Sequence, residues 1–320
     1  MQVYIVIKPV KFRLWTMALL IAAVCLQAGT AQPNERINIG FSRSIVGEVN
    51  ENDILAAIKA WATELMVAEN YFVNVQPQIY GDVRDIQTAL KQARTDFICF
   101  TTTEFVALQH LLNREKLIFS VSGGSMTEEY LLLTPKKSPI AEIKDLKGRS
   151  LIYSKNSRSA LSVTWLDIEL ARSGLPTAAN FFKRMEPVGK VSDALLPVFF
   201  GKKNACLVTR KGFEIMAELN PQISRQLKVL AASKEYIPGI LAFRKSYQSK
   251  IKEIVLNRIE IWDQTPAGRQ IFTIFQTDML VIKPFEILGP TMELIKEHRH
   301  LFGADTGTFR PKSKAKVARP

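Results

Sequence analysis

LIYSKNSRSALSVTWLDIELARSG, residues 151 to 174, is the stretch that decides the fold of this chain. It begins with an apolar run, Leu151 to Tyr153, and continues through a polar cluster from Ser154 to Ser159. Apolar residues then recur at helical spacing until Gly174 and Pro176, which are typical of the end of a helix. The stretch therefore predicts a buried strand, a turn rich in hydroxyls, and an amphipathic helix.

The same alternation of short apolar runs and amphipathic helices extends through most of the 320 residues. The runs predicted as strands are INIGF, FVNVQPQIY, DFICF, LIFSVSGG, EEYLLLTPK, SLIYS, ACLVT, LKVLAAS and GILAFRK. Beyond them, residues 247–263 and 290–298 are predicted to be helical. Alternating units of this kind predict an α/β fold with mainly parallel sheets flanked by helices.

Two chain crossings, near Tyr130 and near Tyr236, divide the pattern into two lobes with a cleft between them. One continuous doubly wound sheet fits the same elements, so both arrangements stay open at this point. The predicted organisation is a signal peptide at 1–31, lobe 1 at 32–131 and 236–306, lobe 2 at 132–235, and a basic disordered tail at 307–320.

The N-terminus combines the features of a secretory signal peptide. Lys8, Lys11 and Arg13 precede a long apolar run, and small residues close it at Gly29 and Ala31. This order predicts cleavage after Ala31 and export of a soluble product. An uncleaved membrane anchor is the alternative, because the apolar run is not far short of a membrane span.

The formal net charge of +13 is concentrated at the two ends of the chain. Three cations of the predicted signal peptide and five of the C-terminal tail account for eight of these charges and leave +5 on the rest. An exported protein with so mildly basic a body is not expected to bind nucleic acid.

No arrangement of residues in the sequence predicts an enzyme. Cys99 and Cys206 lie in apolar runs and are predicted to be buried free thiols. His298 and His300 are predicted to lie on the exposed surface rather than in a metal site. Since no nucleophile elbow or phosphate-binding Walker loop is present, we expect no catalytic residue, cofactor or metal.

Three turns that follow predicted strands carry hydroxyls: Ser42-Arg43-Ser44, Thr101-Thr102-Thr103 and Ser157-Arg158-Ser159. Helix N-termini and hydroxyl donors favour an oxyanion as ligand, so the three turns are expected to converge on one anion from both sides of the cleft. The alternative is simple capping: Ser157 or Ser159 as an N-cap, and Thr101 with Glu104 as a capping box.

DLKGRSLIYSKNSRSALSVTWLDIEL, together with TDFICFTTTEFV, VGKVSDALLPVFFGKKNACLV and PQISRQLKVLAASKEYIPGILAFRKS, resembles the phosphate/phosphite/phosphonate-type solute-binding proteins of ABC importers. The resemblance runs from about Ile37 to Asp278. It implies a type 2 periplasmic binding fold, with the ligand in a cleft between two lobes.

The resemblance also implies a set of ligand-binding residues. In that family the serine turn grips the phosphoryl oxygens, which implicates Ser157 and Ser159, with Thr102 and Thr103 from the other lobe. Arg158 and Lys190 depart from the family pattern and favour a simple, strongly anionic ligand. The full set of candidate residues is Ser42, Arg43, Tyr80, Thr101, Thr102, Thr103, Ser157, Arg158, Ser159 and Lys190.

The function implied is the capture of phosphate, phosphite or a phosphonate in the periplasm, by a monomer that delivers it to an ABC permease in the inner membrane. Two alternatives stay open. A sensory binding protein would pass its liganded state to a membrane receptor kinase, and a divergent member would bind another small molecule.

Overall fold

The computed structural model describes residues 35–47 and 50–303, whose strands form two sheets. The strands of the first sheet are β1 Glu35–Ser42, β2 Val73–Tyr80, β3 Phe97–Thr101, β4 Leu117–Val121, β10 Gly239–Phe243 and β11 Met279–Lys283. Those of the second sheet are β5 Tyr130–Pro135, β6 Ser150–Ser154, β7 Arg184–Val188, β8 Ala205–Thr209 and β9 Leu227–Ala232. The sheets and the helices packed on them are called lobe 1 and lobe 2. The predicted signal peptide and basic tail lie outside the described residues.

Helices flank both sheets and connect most of the strands. The α-helices are α1 Arg43–Val46, α2 Glu51–Ala68, α3 Val83–Lys91, α4 Thr102–Leu108, α5 Ser162–Arg172, α6 Ala178–Phe181, α7 Val191–Phe199, α8 Arg210–Leu219, α9 Gln222–Gln226, α10 Lys250–Arg258, α11 Pro266–Ile274 and α12 Gly289–Phe302. Short 3₁₀ helices lie at Gln109–Leu111, Ile143–Leu146, Ser157–Ser159, Ile259–Gln264 and Phe285–Leu288.

Each sheet combines parallel and antiparallel strands. The order of the first is β11-β4-β10-β3-β1-β2, and that of the second is β7-β6-β8-β5-β9. β1 pairs in parallel with β2 and β3, as β6 does with β7 and β8, whereas β10 and β5 run antiparallel to their neighbours. β11 also runs antiparallel to its neighbour β4. β5 and β10 are the first strands after the two crossings, where the chain enters a sheet from the other lobe.

Buried apolar side chains fill both faces of each sheet, as expected when helices cover a sheet on both sides. One cluster lies between the first sheet and helices α2, α10 and α11, and a second lies on its opposite face. Two further clusters cover the second sheet in the same way. The two-lobed α/β architecture predicted from the sequence is confirmed.

β7, β11 and helix α11 are among the elements that were not expected from the sequence. β7 and β11 are edge strands with one neighbour each, and of the residues in their runs RMEPV and MLVIK only Leu280 is fully buried. α11 begins with Pro266 in its first turn and is capped by Thr265, whose hydroxyl accepts a hydrogen bond from the Gly268 N–H at 3.0 Å.

The two predicted crossings lie side by side. Glu128 and Tyr236 pair as a single antiparallel bridge, with N–H to carbonyl distances of 2.8 and 2.9 Å between them. This bridge joins the segments through which the chain leaves lobe 1 and returns to it. The connection between the lobes is therefore a two-stranded element rather than two independent linkers.

Helix α12 makes a third connection. It follows β11 of the first sheet, yet its buried Leu294 and Ile295 pack in the core of lobe 2. His298 Nε2 on this helix lies 3.1 Å from a carboxylate oxygen of Asp167 on α5, and both side chains are buried. The expectation of an exposed His298 is thus wrong, because the helix turns that face onto α5, whereas His300 is exposed.

No helix in the described ranges is both long enough and apolar enough to cross a membrane.

Candidate functional site

The serine turn of lobe 2 is a 3₁₀ turn capped by Asn156. The Asn156 side chain accepts a hydrogen bond from the Ser159 N–H at 3.0 Å, so neither predicted serine is the cap. The Ser159 hydroxyl is buried and lies 2.7 Å from that of Ser154. The Tyr130 hydroxyl donates to the Arg158 carbonyl at 3.1 Å. The turn is therefore held firmly from inside lobe 2.

Arg158 extends from this turn across the cleft. Its Nε lies 2.5 Å from a carboxylate oxygen of Glu128, which is almost fully buried, and its Nη2 donates to the Ser125 carbonyl of lobe 1 at 3.3 Å. The second terminal nitrogen, Nη1, is buried without a hydrogen-bond partner among the described residues. One donor group of the guanidinium is thus unpaired within the described residues.

The pair that Arg158 forms with Glu128 sets the local electrostatics. Burial raises the pKa of Glu128 above its ordinary value, while the nearby Arg158 acts in the opposite direction. An ionised Glu128 compensates the arginine charge, so the turn offers directed donors rather than an unpaired cation. A guest anion is expected to depend on hydrogen-bond geometry as much as on net charge.

Ser157 is the member of the turn whose hydroxyl has no hydrogen-bond partner among the residues that the structure describes. It is partly exposed and, with Arg158, lines a cavity that opens at the cleft. Ser120 and Thr277 of lobe 1 also line this cavity. Polar groups from both lobes are therefore present where the cavity begins.

The two hydroxyl-rich turns of lobe 1 converge on a carboxylate of the protein itself. Glu104 accepts hydrogen bonds from the Ser42 hydroxyl at 2.6 Å and from the Thr101 hydroxyl at 2.8 Å. Thr101 and Glu104 form the capping box that the sequence offered as an alternative. Ser42 likewise caps α1 through the Ser44 N–H. The hydroxyls of Ser42 and Thr101 thus already have an anionic partner.

Thr102 and Thr103 occupy different surroundings. The Thr102 hydroxyl is fully buried and donates to the Ile237 carbonyl at 2.5 Å, which ties α4 to the returning crossing. Thr103 is partly exposed, and no hydrogen bond of its hydroxyl is found in the described part of the chain. Neither residue lines the cavity.

The three remaining candidates lie away from the cavity. Arg43 is paired with Glu51 in lobe 1, and both side chains are about half exposed. Tyr80 is buried in the core, its hydroxyl bonded to Thr95, and burial raises its pKa. Lys190 is exposed at the start of α7. Two of the ten predicted residues, Ser157 and Arg158, thus line the cavity.

The floor of the cavity is one face of the first sheet. Phe41, Cys99 and Leu241 stand side by side on β1, β3 and β10, because Cys99 is the registered partner of both others. Gly239, two residues before Leu241, leaves space on the same face near the cleft. Cys99 is a free thiol, and burial raises its pKa to about 12.

The roof of the cavity is formed by helices of lobe 1. Ile58 and Trp61 come from α2, Phe272 from α11, and Trp262 from the preceding 3₁₀ turn. The rings of Trp61 and Trp262 meet edge to face, with centroids 4.9 Å apart. Water-sized molecules have access to about 90 Å³ of this space. The lining is predominantly apolar, unlike the polar pocket that the three hydroxyl turns predicted.

A smaller cavity of about 30 Å³ adjoins the first one and shares Ile39, Trp61, Phe97 and Trp262 with it. The indole N–H of Trp61 is buried and finds no acceptor in residues 35–47 or 50–303. Empty space thus continues from the cleft into the layer between the sheet and α2.

A second residue of lobe 2 approaches lobe 1 beside Arg158. The Nζ of Lys211, on α8, lies where a side chain at Gly123 would begin, since a Cβ built there is 0.9 Å from it. Gly123 also has a positive φ of 55°, which glycine adopts readily. The backbone conformation therefore favours glycine at this position, and a larger residue would in addition displace the flexible end of Lys211.

Several residues of the site were not anticipated. Glu128 is an acid beside a predicted strand, and nothing in its spacing predicts its partner Arg158. Glu104 was expected only as the capping-box partner of Thr101, and its hydrogen bond from Ser42 was not predicted. The sequence contains one weak indication of the cavity: Cys99 and Gly239 are small residues in strands whose other buried side chains are mostly large. The described residues contain no group of three or more His, Cys, Asp or Glu side chains suited to a metal ion.

Two mixed sheets in separate lobes, crossings that pair beside a cleft, and a turn facing that cleft define a class, the type 2 periplasmic binding fold. Residues 46–282 match the family described as ABC transporter, phosphonate, periplasmic substrate-binding protein. The match covers more than half of the chain, which therefore belongs to this family. The predicted resemblance is confirmed, and with it the general role of a periplasmic substrate-binding component that delivers a small ligand to an ABC permease.

Solved structures show the same fold. The binding protein component of an ABC phosphonate transporter from Pseudomonas aeruginosa is 15% identical, with a TM-score of 0.57, and the match covers 85% of this chain and 90% of that one. PhnD1 from Prochlorococcus marinus, in complex with methylphosphonate, is 14% identical, with a TM-score of 0.53 and coverage of 84% and 99%. XAC2383 from Xanthomonas citri, bound to ATP, is 15% identical, with a TM-score of 0.59 and coverage of 83% and 98%. No curated protein matches the sequence significantly.

Proposed function

We propose that this protein captures a phosphate, phosphite or phosphonate oxyanion in the cleft between its lobes, at Ser157 and Arg158, for an ABC importer. The observation that carries the proposal is the pair of unused donors at one place. The Ser157 hydroxyl has no partner among the described residues, and Arg158 Nη1 is buried without one. Buried donors are almost always paired in folded proteins, so an acceptor-rich guest suits this position.

Three other features support the same position. The turn lies at the carboxyl end of β6, where ligands of open α/β sheets bind. It faces lobe 1 across the cleft, so a guest there touches both lobes. The family to which the chain belongs is described by a phosphonate ligand. We further propose that the protein is exported by cleavage after Ala31 and acts as a monomer.

Calorimetric titration with phosphate, phosphite, methylphosphonate and sulfate tests the proposal. Removing one hydrogen bond to a charged group costs roughly 1.5–3 kcal/mol, so Ser157→Ala is expected to weaken binding about 10- to 100-fold. Ser159→Ala is the matched control, since its hydroxyl is bonded within lobe 2. Equal affinities of Ser157→Ala and the parent protein, or binding of none of the four anions, would contradict the proposed site.

A further inference from the structure

The apolar cavity of lobe 1 begins at the proposed anion site. We infer that the ligand is an oxyanion with a short apolar substituent, whose head lies at Ser157 and Arg158 and whose substituent enters this cavity. The inference rests on the proposed function, because the anionic head is what places the ligand at the mouth of the cavity. To the proposed function, the inference adds the chemical class of the substituent that the ligand carries.

The lining of the cavity combines a few polar residues with many apolar ones. Ser157 and Arg158 are its lining residues from lobe 2, and Ser120 and Thr277 are polar lining residues from lobe 1. The rest of the wall consists mostly of aromatic and aliphatic side chains from the sheet and the helices above it. A guest that satisfies both kinds of residue has a polar end and an apolar end.

A bare oxyanion such as phosphate would leave most of the apolar wall of the cavity without a contact. Phosphate has no apolar atoms to place against Phe41 or Phe275, and an apolar cavity of this kind is not expected to hold ordered water. An alkyl or aryl group gains by leaving water for such a cavity. The gain amounts to about fourfold in affinity for each methylene buried.

The size of the cavity limits the substituent. About 90 Å³ is accessible to water-sized molecules in the larger space. Apolar cavities of about 150 Å³ accept a benzene molecule, so the space suits a substituent between a propyl group and one aromatic ring. Affinity is expected to rise along the series from methyl to propyl and phenyl, and to fall for substituents much longer than these.

The guanidinium of Arg158 offers a hydrogen-bond donor to the anionic head of the ligand. Its Nε is engaged by Glu128 and its Nη2 by the Ser125 carbonyl, which fixes its plane, while Nη1 has no partner in the described residues. A donor fixed in this manner at the polar end of an apolar space orients the ligand head outward and tail inward. Arg158, which departs from the family pattern, is thus the group that joins the two parts of the site.

Titration of the full mature chain with phosphate, methylphosphonate, propylphosphonate and phenylphosphonate tests the inference. We expect propyl- and phenylphosphonate to bind at least tenfold more tightly than methylphosphonate. Methylphosphonate binding as tightly as both larger ligands would overturn the inference and leave the proposed function intact. Binding of none of the four would instead contradict the proposed function itself.

Two variants at one wall position supply an independent measurement. Cys99→Met places a larger side chain in the cavity and is expected to reduce the affinity ratio of phenyl- to methylphosphonate at least tenfold, whereas Cys99→Ala is expected to keep or raise it. Val281→Met is the matched control, because Val281 faces the opposite side of the same sheet. A ratio that Cys99→Met leaves unchanged, in a variant with a native circular dichroism spectrum, would contradict the inference.

Discussion

At the scale of single residues, hydroxyls of similar sequence context have different roles. Ser157 and Ser159 are two positions apart, yet one faces the cavity and the other bonds to Ser154 inside lobe 2. Thr101 caps a helix and Thr102 binds a carbonyl of the returning crossing. The sequence offered the capping box of Thr101 with Glu104 as an alternative, but it did not predict the partners of Thr102 or Ser159. For Ser157 and Ser159 the direction of each hydroxyl depends on the 3₁₀ geometry of the turn, which Asn156 caps.

Ser159→Ala is expected to affect stability rather than ligand affinity. The substitution leaves the buried Ser154 hydroxyl without its partner, which costs about 1–3 kcal/mol in the free energy of unfolding. Urea denaturation measures this loss, and the double variant Ser154→Ala/Ser159→Ala is expected to recover part of it, since no unpaired hydroxyl then remains. An unchanged urea midpoint for Ser159→Ala would show that the Ser154 contact does not stabilise the turn.

The pair formed by Glu128 and Arg158 predicts an unusual pH dependence of stability. Burial raises the pKa of Glu128, so the folded state binds this proton more tightly than the unfolded state does. The stability that this group contributes is present below its unfolded pKa and is lost as the pH rises through its folded pKa. Glu128→Gln is therefore expected to gain stability relative to the parent protein as the pH rises from about 4, near the ordinary pKa of a glutamate, towards neutrality.

Urea denaturation of both proteins at several pH values in this range measures the difference. Glu186→Gln is a suitable control, because its partner Lys203 lowers the pKa of Glu186 and the sign is reversed. A Glu128→Gln variant that loses relative stability as the pH rises would mean that the ion pair outweighs the cost of burial.

At the scale of elements, the central strands were predictable and the edges were not. β3, β6 and β8 are almost entirely buried and contain short continuous apolar runs, which is a strong strand signal in an α/β protein. β7 and β11 have one neighbour each, and of their residues Leu280 alone is fully buried. The apolar cavity was missed because it is formed by residues distant in sequence, from α2, α11 and five strands of the first sheet.

Helix α12 provides an element-scale prediction, because a buried pair connects it to lobe 2. His298→Ala removes the partner of Asp167 and is expected to lower the free energy of unfolding by about 1–3 kcal/mol. His300→Ala, two positions further on the exposed face of the same helix, is expected to change it by less than about 0.5 kcal/mol. Thermal or chemical denaturation of the two variants measures both values. Equal losses of unfolding free energy in the two variants would show that the contact between His298 and Asp167 does not contribute measurably to stability.

At the scale of the whole molecule, the lobes are joined by the paired crossings, by α12, and by side chains of lobe 2 that reach lobe 1. The sequence pattern fitted two lobes and also one continuous doubly wound sheet, and the structure has two separate sheets. The sequence pattern could not predict the contacts between the lobes. These include the hydrogen bond from Arg158 to the Ser125 carbonyl and the approach of Lys211 to Gly123. They depend on how the lobes face each other.

Ligand binding is expected to make the molecule more compact. A guest held by Arg158 and Ser157 of lobe 2 against Ser120 and Thr277 of lobe 1 favours the state in which the lobes touch. Small-angle X-ray scattering with and without a saturating phosphonate is expected to show a smaller radius of gyration in the bound state. An unchanged radius despite calorimetric saturation would exclude closure by hinge motion.

The central claim is that an oxyanion binds at the turn of lobe 2, and a crystal structure of the phenylphosphonate complex tests it most directly. The account predicts phosphonate oxygens within hydrogen-bond distance of Ser157 Oγ and Arg158 Nη1, with the phenyl ring between Phe41, Cys99 and Leu241 of the sheet and the helices above them. A phosphonate bound elsewhere, for example at Thr103 or Lys190 with the Ser157 hydroxyl unused, would contradict it.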